Sequence, residues 1–326
     1  MKATSNKKIS IIAVTCGVRD YLFHCLESIA QQAYRELEVV VIDNALRPDF
    51  SQEVLRRYPD VHLYSSPNNL SYCDSLNKGI EISSGNYVLC LNDDVILDER
   101  FIEQALKGFS VDERVGMVSG KILRRDRKTV DSTGLFLTFW RTAKERGYGQ
   151  EDLGRFEKAG YVFGVNGAAA FYRKKMLDEI KEKNYFDSDF RFFYEDLDVS
   201  WRARHSGWRG YYVPLAVCYH LRGGTVRREN GIGRPFARRY LNDNLHADLI
   251  KNRHLAIIKN ESLLGFFAHL PAVLLYDCIV LGYLFLFNRR IIKLLFLNLR
   301  YLKSAVMRRL FNLPVSLMRG IARRRN

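Results

Sequence analysis

Two acidic clusters hold the residues of this 326-residue chain best suited to chemistry. In the first, the apolar run Tyr87-Val88-Leu89-Cys90-Leu91 stops at Asn92-Asp93-Asp94 and resumes as Val95-Ile96-Leu97. A short apolar run bounded by polar residues reads as a buried strand. One amide and two carboxylates then stand at its carboxyl end, where open α/β sheets bind ligands. Adjacent carboxylates repel unless a cation sits beside them, and a divalent metal carried on a ligand's phosphates is one solution. A plain strand-ending turn would use the same residue types. The second cluster is Glu195-Asp196-Leu197-Asp198, placed after the aromatic wall Phe192-Phe193-Tyr194 and before a helix-like segment at 199–205. Acids are favoured at a helix N-terminus, but capping needs only one of the three. A carboxylate beside aromatic rings can instead have its proton affinity tuned for base catalysis. Further on, an apolar stretch at 211–219 ends in His220, and Arg222 follows. A histidine and a distant aspartate on facing loops can complete a metal site. The guanidinium groups of Arg202 and Arg222 suit phosphate oxygens; a solvated surface role fits either arginine equally well.

The elements that must position these clusters alternate in kind. Residues 9–14 are apolar and mostly β-branched, a buried strand. Leu22, Cys25, Leu26, Ile29 and Ala30 recur at helical spacing. Strands at 37–42, ending in Asp43-Asn44, and at 61–64 are separated by a helix at 53–58; a helix at 71–82 precedes the strand of the first cluster. Such alternation implies a mostly parallel sheet with helices on both faces. From 101 to 160 the pattern loosens to a strand at 115–118 and a charged loop at 124–128. Gly147-Tyr148-Gly149, followed by Glu151-Asp152, reads either as a substrate-facing segment or as an ordinary solvated loop. Gly164, Asn166 and Gly167 beside three alanines let a backbone or ligand approach, or simply pack tightly. A short helix spans 176–183.

A hydrophobic content of 47% is ample for a core, and a formal charge of +15 favours anionic partners. No RNA-binding aromatic motif, helix-turn-helix signature or zinc spacing is present, so no nucleic acid is expected. The six cysteines form no C-x-x-C pair and read as reduced thiols of a cytosolic protein. The apolar run at 9–14 is too short for a signal-peptide core, so no export is expected. Residues 263–287 are nearly continuously apolar, long enough for a membrane span. They contain His269, Pro271 and Asp277, and ionisable residues are costly in hydrocarbon. Ile291, Ile292, Leu294 and Leu295 then alternate with Lys293 between Arg289, Arg290, Arg300 and Lys303, and Arg323-Arg324-Arg325 closes the chain. Basic residues beside apolar faces predict helices lying in an anionic membrane surface. A helical subdomain packed on the core, or an oligomer interface, would show the same pattern. A dinucleotide-binding oxidoreductase is excluded, because Thr15-Cys16-Gly17-Val18 stands where G-x-G-x-x-G would follow the first strand.

Over roughly residues 8–255 the chain resembles the inverting glycosyltransferases of family 2, with the GT-A fold, and most of all their rhamnosyltransferase type. The resemblance is carried, in order, by the opening strand with Thr15, VVVIDN, SPNNLSYCDSLNKGI, LNDDV, RGYGQEDLGRF, VNGAAAFYRKKML, FFYEDLDVSWRARHSGW and VPLAVCYH. The composition reads 241–326 as a helical, basic, membrane-associating region; the resemblance implies an α/β catalytic domain over 1–240, with a mostly parallel central sheet. It implies that Asp43 bonds the nucleobase, that Thr15 touches the nucleoside, and that Asn77, Lys78 and Asp93 contact nucleotide or diphosphate. Asn92-Asp93-Asp94 stands at the family's D-x-D position, with Asn92 in place of the first acid. Asp94 with Asn92, completed by His220, would hold Mg2+ or Mn2+. Asp196 would be the general base. The implied donor is a nucleotide-sugar, dTDP-rhamnose first and a UDP-sugar next. The acceptor would be a glycan or lipid-linked acceptor at the cytoplasmic membrane face, with the enzyme peripheral. A catalytically silent GT-A domain serving as a membrane-bound assembly partner is the alternative, and intact Asp94, Asp196 and His220 argue against it.

Overall fold

A computed structural model describes residues 7–222 and 242–311. The expected boundary at 240/241, the glycines at 223 and 224, and the arginines at 323–325 lie outside the described residues. Two compact units divide the rest. One holds the described residues up to Thr138 and from Thr142 to Arg222; the other holds Phe139–Arg141 and the described residues from Asn242 onward.

The first unit opens with β1 (Ile9–Thr15), α1 (Arg19–Ala30), β2 (Leu37–Asp43), α2 (Pro48–Arg57), β3 (His62–Ser65), α3 (Tyr72–Ile82), β4 (Tyr87–Asn92) and β5 (Val95–Leu97). It continues with α4 (Phe101–Phe109), β6 (Val115–Arg124), β7 (Val130–Ser132), β8 (Leu135–Leu137), β9 (Ala143–Glu145), β10 (Gly160–Val162), β11 (Ala169–Arg173), α5 (Lys174–Ile180), α6 (Glu195–His205) and β12 (Arg209–His220). The main sheet runs β10-β12-β6-β11-β4-β1-β2-β3. β4, β1, β2 and β3 are mutually parallel, as are β6 and β12, and β11 joins the two blocks antiparallel to both. This is the mostly parallel α/β architecture that the alternation predicts.

β1 is buried along its whole length because both of its faces are covered. Ile9, Ile11 and Ala13 join Leu22, Cys25, Leu26 and Ile29 of α1 in the main core. Ile12 meets α3 at Gly79, where a Cβ would come within 2.3 Å of Ile12 Cγ2. Burying each such side chain stabilises the fold by roughly 1.5–3 kcal/mol. The central parallel strands therefore end together, and Thr15, Asp43 and Asn92 share their carboxyl edge.

Three of the differences from expectation have a clear physical reason. α4 was not anticipated; Phe101, Ile102, Ala105 and Phe109 form its buried stripe, masked in sequence by the polar residues between them. β6 runs on to Arg124, because Lys121 inside it is neutralised by Asp152 at 2.9 Å and by Glu157. α6 begins at Glu195, four residues early, which places all three acids in its first turn.

The second unit contains α7 (Asp243–Asn260), α8 (Leu263–Phe287) and α9 (Arg289–Phe311). Asn242 caps α7 by accepting from Leu245 N at 2.9 Å, and Ser262 caps α8 through Gly265 N at 2.9 Å. Ala247, Leu284 and Ile291 form its small core. Asp277, in mid-α8, accepts from Arg253 Nη1 at 2.6 Å and pairs with His254 Nε2 at 3.0 Å, both on α7. Among the described residues α8 is the one helix long and apolar enough to cross a membrane, with a mean hydropathy of 2.1 over its most apolar window. Leu264, Phe267, Leu286 and Phe287 stand out of its surface, as do Phe296 and Leu297 of α9.

Candidate active site

The carboxyl edge of the sheet gathers the first cluster. Thr15 and Asp43 are in register on β1 and β2. Asp43 is fully buried, and its two oxygens accept from Ala45 N at 2.7 Å and Ser51 Oγ at 2.6 Å. Burial, reinforced by Asp94 and tempered by Thr15 and the backbone of Cys16, pushes the Asp93 carboxyl up to about 7. Asn92 accepts from the Tyr72 hydroxyl at 2.7 Å.

Asp94 is reached across the sheet. β5 pairs with β12 so that Val95 opposes His220, β12 pairs with β6 so that His220 opposes Arg124, and β7 lies beside β6. This ladder lines up four charged side chains. His220 Nε2 lies 3.3 Å from Asp94 Oδ1, and His220 Nδ1 lies 2.8 Å from Asp131 Oδ2. Arg222 Nε donates to Asp131 Oδ1 at 2.6 Å. Burial would raise the Asp131 carboxyl, but the His220 hydrogen bond and the Arg222 charge hold it well below the ordinary range. Burial opposes the imidazolium of His220, yet its bonds to Asp131 and Asp94 raise it to about 9.

The second cluster stands at the N-terminus of α6, behind a strained turn: Arg191, Phe193 and Tyr194 all have φ between 63° and 72°. Left-handed non-glycine residues cost of order 1–3 kcal/mol each and concentrate at functional sites. Here Cys73 N donates to Arg191 O at 3.2 Å and Phe192 packs edge-on against Tyr72, which hold the turn in place. Asp196 accepts from Gly167 N at 2.9 Å and Leu197 N at 2.7 Å. Burial raises its proton affinity, and these two bonds temper the effect. Burial and the Asp196 charge raise Glu195 in turn, and its Oε2 is buried without a hydrogen-bond partner among the described residues. Glu145, which accepts from Asn166 Nδ2 at 2.7 Å and from Ser132, is pushed up to about 8 by burial and by Asp196.

Short bonded paths join the clusters. The Tyr72 hydroxyl that bonds Asn92 also lies 3.3 Å from Gly167 O, and Gly167 N holds Asp196. Asn92 N donates to Ala168 O at 3.0 Å in the same turn. On the other side, Glu145 feels both Asp196 and Asp131. Residues 166–168 thus link the two acidic groups through their backbone.

Two of the expected donor contacts are corrected. Arg202 is buried, and its guanidinium is used by Asp198 at 2.9 Å and by the carbonyls of Ile180 and Tyr185, each at 2.7 Å. Asn77 is also buried, and its amide exchanges two 2.8 Å bonds with the backbone of Phe186. Both are structural pins. Lys78 stacks over the Tyr64 ring at 5.0 Å, and Tyr64 is in register with Ile42 of β2, one residue before Asp43. Arg222 does stand at the site. Asp131, Glu145, Tyr72 and Arg124 are the neighbours that sequence reasoning did not single out.

Two protein groups converge where a divalent cation was expected, Asp94 and His220; among the described residues no third histidine, cysteine or acid joins them. The set fits a metal carried by its ligand: such ions take one or two protein carboxylates and complete their shell with phosphate oxygens and water. The Asp131 bond to Nδ1 is the carboxylate–histidine arrangement that orients a ligating imidazole. Asn92 already receives a hydrogen bond from Tyr72, which any coordinating role for it must share.

The fold is that of a GT-A domain. Residues 10–181 match Glycosyl transferase family 2, and the chain belongs to that family. It is 24% identical over 219 residues to poly-beta-1,6-N-acetyl-D-glucosamine synthase of Staphylococcus aureus strain MSSA476, covering 65% of this chain and 50% of that protein. It is 24% identical over 208 residues to the Staphylococcus epidermidis synthase of the same name, covering 62% and 47%. The chain therefore spans about half the length of the curated relatives it matches. Among solved structures it resembles a mannosyltransferase of Pyrobaculum calidifontis in complex with GDP-Man and Mn2+ (TM-score 0.56, 18% identity, 98% of this chain and 80% of that one). It also resembles GalNAc-T7 with UDP, GalNAc and Mn2+ (TM-score 0.58, 12% identity, 78% and 48%).

Proposed function

We propose that the chain is an inverting glycosyltransferase moving a sugar from a nucleotide-diphosphate donor to a hydroxyl of a glycan or lipid-linked acceptor. The observation that carries the reading is the bonded path Asn92–Tyr72–Gly167–Asp196, with distances of 2.7, 3.3 and 2.9 Å, between the two acidic clusters. Asp196 takes the proton of the acceptor hydroxyl as its oxygen bonds the anomeric carbon. The bond to the diphosphate oxygen breaks on the opposite face and leaves its electron pair there. General-base help of this kind contributes typically ~10²–10⁴-fold, and the raised proton affinity of Asp196 suits it to the task. Asp94 and His220 would hold a divalent cation, which would supply Lewis-acid stabilisation to the leaving diphosphate. Thr15, Asp43 and Asp93 form the nucleoside side of the cleft.

The motif resemblance favours rhamnose, whereas the names of the relatives favour N-acetylglucosamine, so a UDP-sugar becomes the first donor to test. The second unit is proposed to lie in the cytoplasmic face of a membrane. At 25 residues α8 would reach roughly 37 Å, enough to span, but the ties of Asp277 to Arg253 and His254 favour an interfacial position.

The test is a nucleotide-sugar panel with Mg2+ or Mn2+, followed by Asp196→Asn on the donor that binds. Nucleotide binding should survive and transfer should stop. Retained turnover in that variant would remove Asp196 from the mechanism.

A further inference from the structure

Arg124, at the end of β6, is 7% exposed, yet its Nε and Nη2 have no hydrogen-bond partner among the described residues. Its nearest acid is Asp131, at 3.7 Å from Nε, beyond hydrogen-bond reach. Asp131 already serves His220 and Arg222. One carboxylate therefore faces three groups that carry or accept positive charge. Tyr148 lies against both guanidiniums, with ring distances of 4.7 Å to Arg124 and 5.1 Å to Arg222. Stacking occupies the face of a guanidinium and leaves its N–H edge for a planar or tetrahedral anion.

The Tyr148 loop is built to stay there. Gly147 and Gly149 have φ of +79° and +75°, which side-chain-bearing residues rarely adopt. Gly149 N donates to Val130 O at 2.9 Å, and Val130 N donates to Gln150 O at 2.8 Å, fastening the loop to β7. A Cβ at Gly149 would stand 3.7 Å from Arg124 Nη2, so the loop runs directly past the unpartnered edge.

We infer that Arg124 and Arg222, braced on Tyr148 beside His220, form a phosphate clamp that takes either the diphosphate of the donor or a phosphate carried by the acceptor. The inference rests on the transferase reading of the site and adds a binding group to it. The full-length chain is titrated calorimetrically with UDP plus Mn2+, with pyrophosphate, and with N-acetylglucosamine 1-phosphate, as wild type and as Arg124→Gln. Arg124→Gln should weaken at least one of these phosphate ligands tenfold or more, without lowering the ligand-free melting temperature. Loss on UDP and pyrophosphate assigns the clamp to the donor; loss confined to the sugar phosphate assigns it to the acceptor. Wild-type affinity for all three overturns the clamp. If wild type binds pyrophosphate through Arg124 but not UDP, the clamp stands and the transferase reading falls. If wild type binds none of the three, both fall. Should Arg124→Gln fail to fold, Tyr148→Leu and Arg124→Lys carry the comparison: several-fold weakening by the leucine and partial retention by the lysine are expected, and no change in either overturns the clamp.

Discussion

Replacing Asp131 with asparagine should separate the buried charge network from the rest of the fold. Asp131 is completely buried and accepts from His220 Nδ1 at 2.8 Å and Arg222 Nε at 2.6 Å. Asparagine keeps the shape but offers one acceptor where two donors arrive, and it turns an N–H toward one of them. Removing one partner of a buried ion pair costs about 3–5 kcal/mol. A domain of this size loses about 2–4 °C per kcal/mol, so the melting temperature should fall by roughly 6–20 °C. The same change frees the imidazole of His220 to rotate. Loss of such an orienting carboxylate weakens metal binding by about 10–100-fold. The assay is Mn2+ titration followed by electron paramagnetic resonance in the presence of UDP, paired with thermal melts. A lowered melting temperature with wild-type Mn2+ affinity would mean that Asp131 only packs the sheet and that His220 is not a ligand. An unchanged melting temperature would refute the buried network itself.

Three further outcomes follow from the same geometry. Since His220 is raised to about 9, a cation arriving at Nε2 displaces a proton at neutral pH. Metal affinity should therefore rise about tenfold per pH unit from 7 toward 9 and then level off; a flat profile in a Mg2+ titration would reject His220 as ligand. Glu38 is held at about 2 against an ordinary 4.5, because bonds from Ser10, Ser84 and Lys8 outweigh burial. Its lowered value contributes about 3 kcal/mol above pH 4.5, lost as pH falls toward 2. Glu38→Gln should remove that acid-dependent loss from denaturant titrations at pH 3 and pH 6, and an unaltered difference between them would count against the network. The second unit should cosediment with anionic vesicles and much less with zwitterionic ones. Each of Arg289, Arg290 and Lys293 changed to glutamine should weaken binding by about 1 kcal/mol; no sedimentation of the full chain would reject the membrane reading.

The parts of the site that were legible in sequence are those with a local signature. An apolar run that breaks at an acid marks a strand end, which located Asp43 and Asp94; an acid triplet before a helical stretch located Asp196. Neither Asp131 nor Arg124 has such a mark. Asp131 sits in the short strand β7 and Arg124 at the far end of β6, in the region where periodicity loosens, and a charged residue there reads as loop. Their importance comes from pairing: β5 on β12, β12 on β6 and β7 on β6 bring into one row charges that lie far apart in the chain, from Asp94 to Arg222. Arg202 and Asn77 failed for the opposite reason. Both have the chemistry to hold a phosphate, but burial and backbone partners assign them to the interior, and only coordinates disclose burial of a polar side chain.

This contrast bears on how the two acidic groups divide their work. The Asp94 side is rich in cations, with His220, Arg222 and Arg124 gathered around Asp131, so it favours negative charge arriving on a ligand. The Asp196 side is rich in carboxyls, with Glu195 and Glu145 as neighbours, so it favours a proton arriving there. The displacement proposed above would send an electron pair one way and a proton the other, which that asymmetry suits, and Gly167, bonded to Tyr72 through its carbonyl and to Asp196 through its amide, stands at the dividing line.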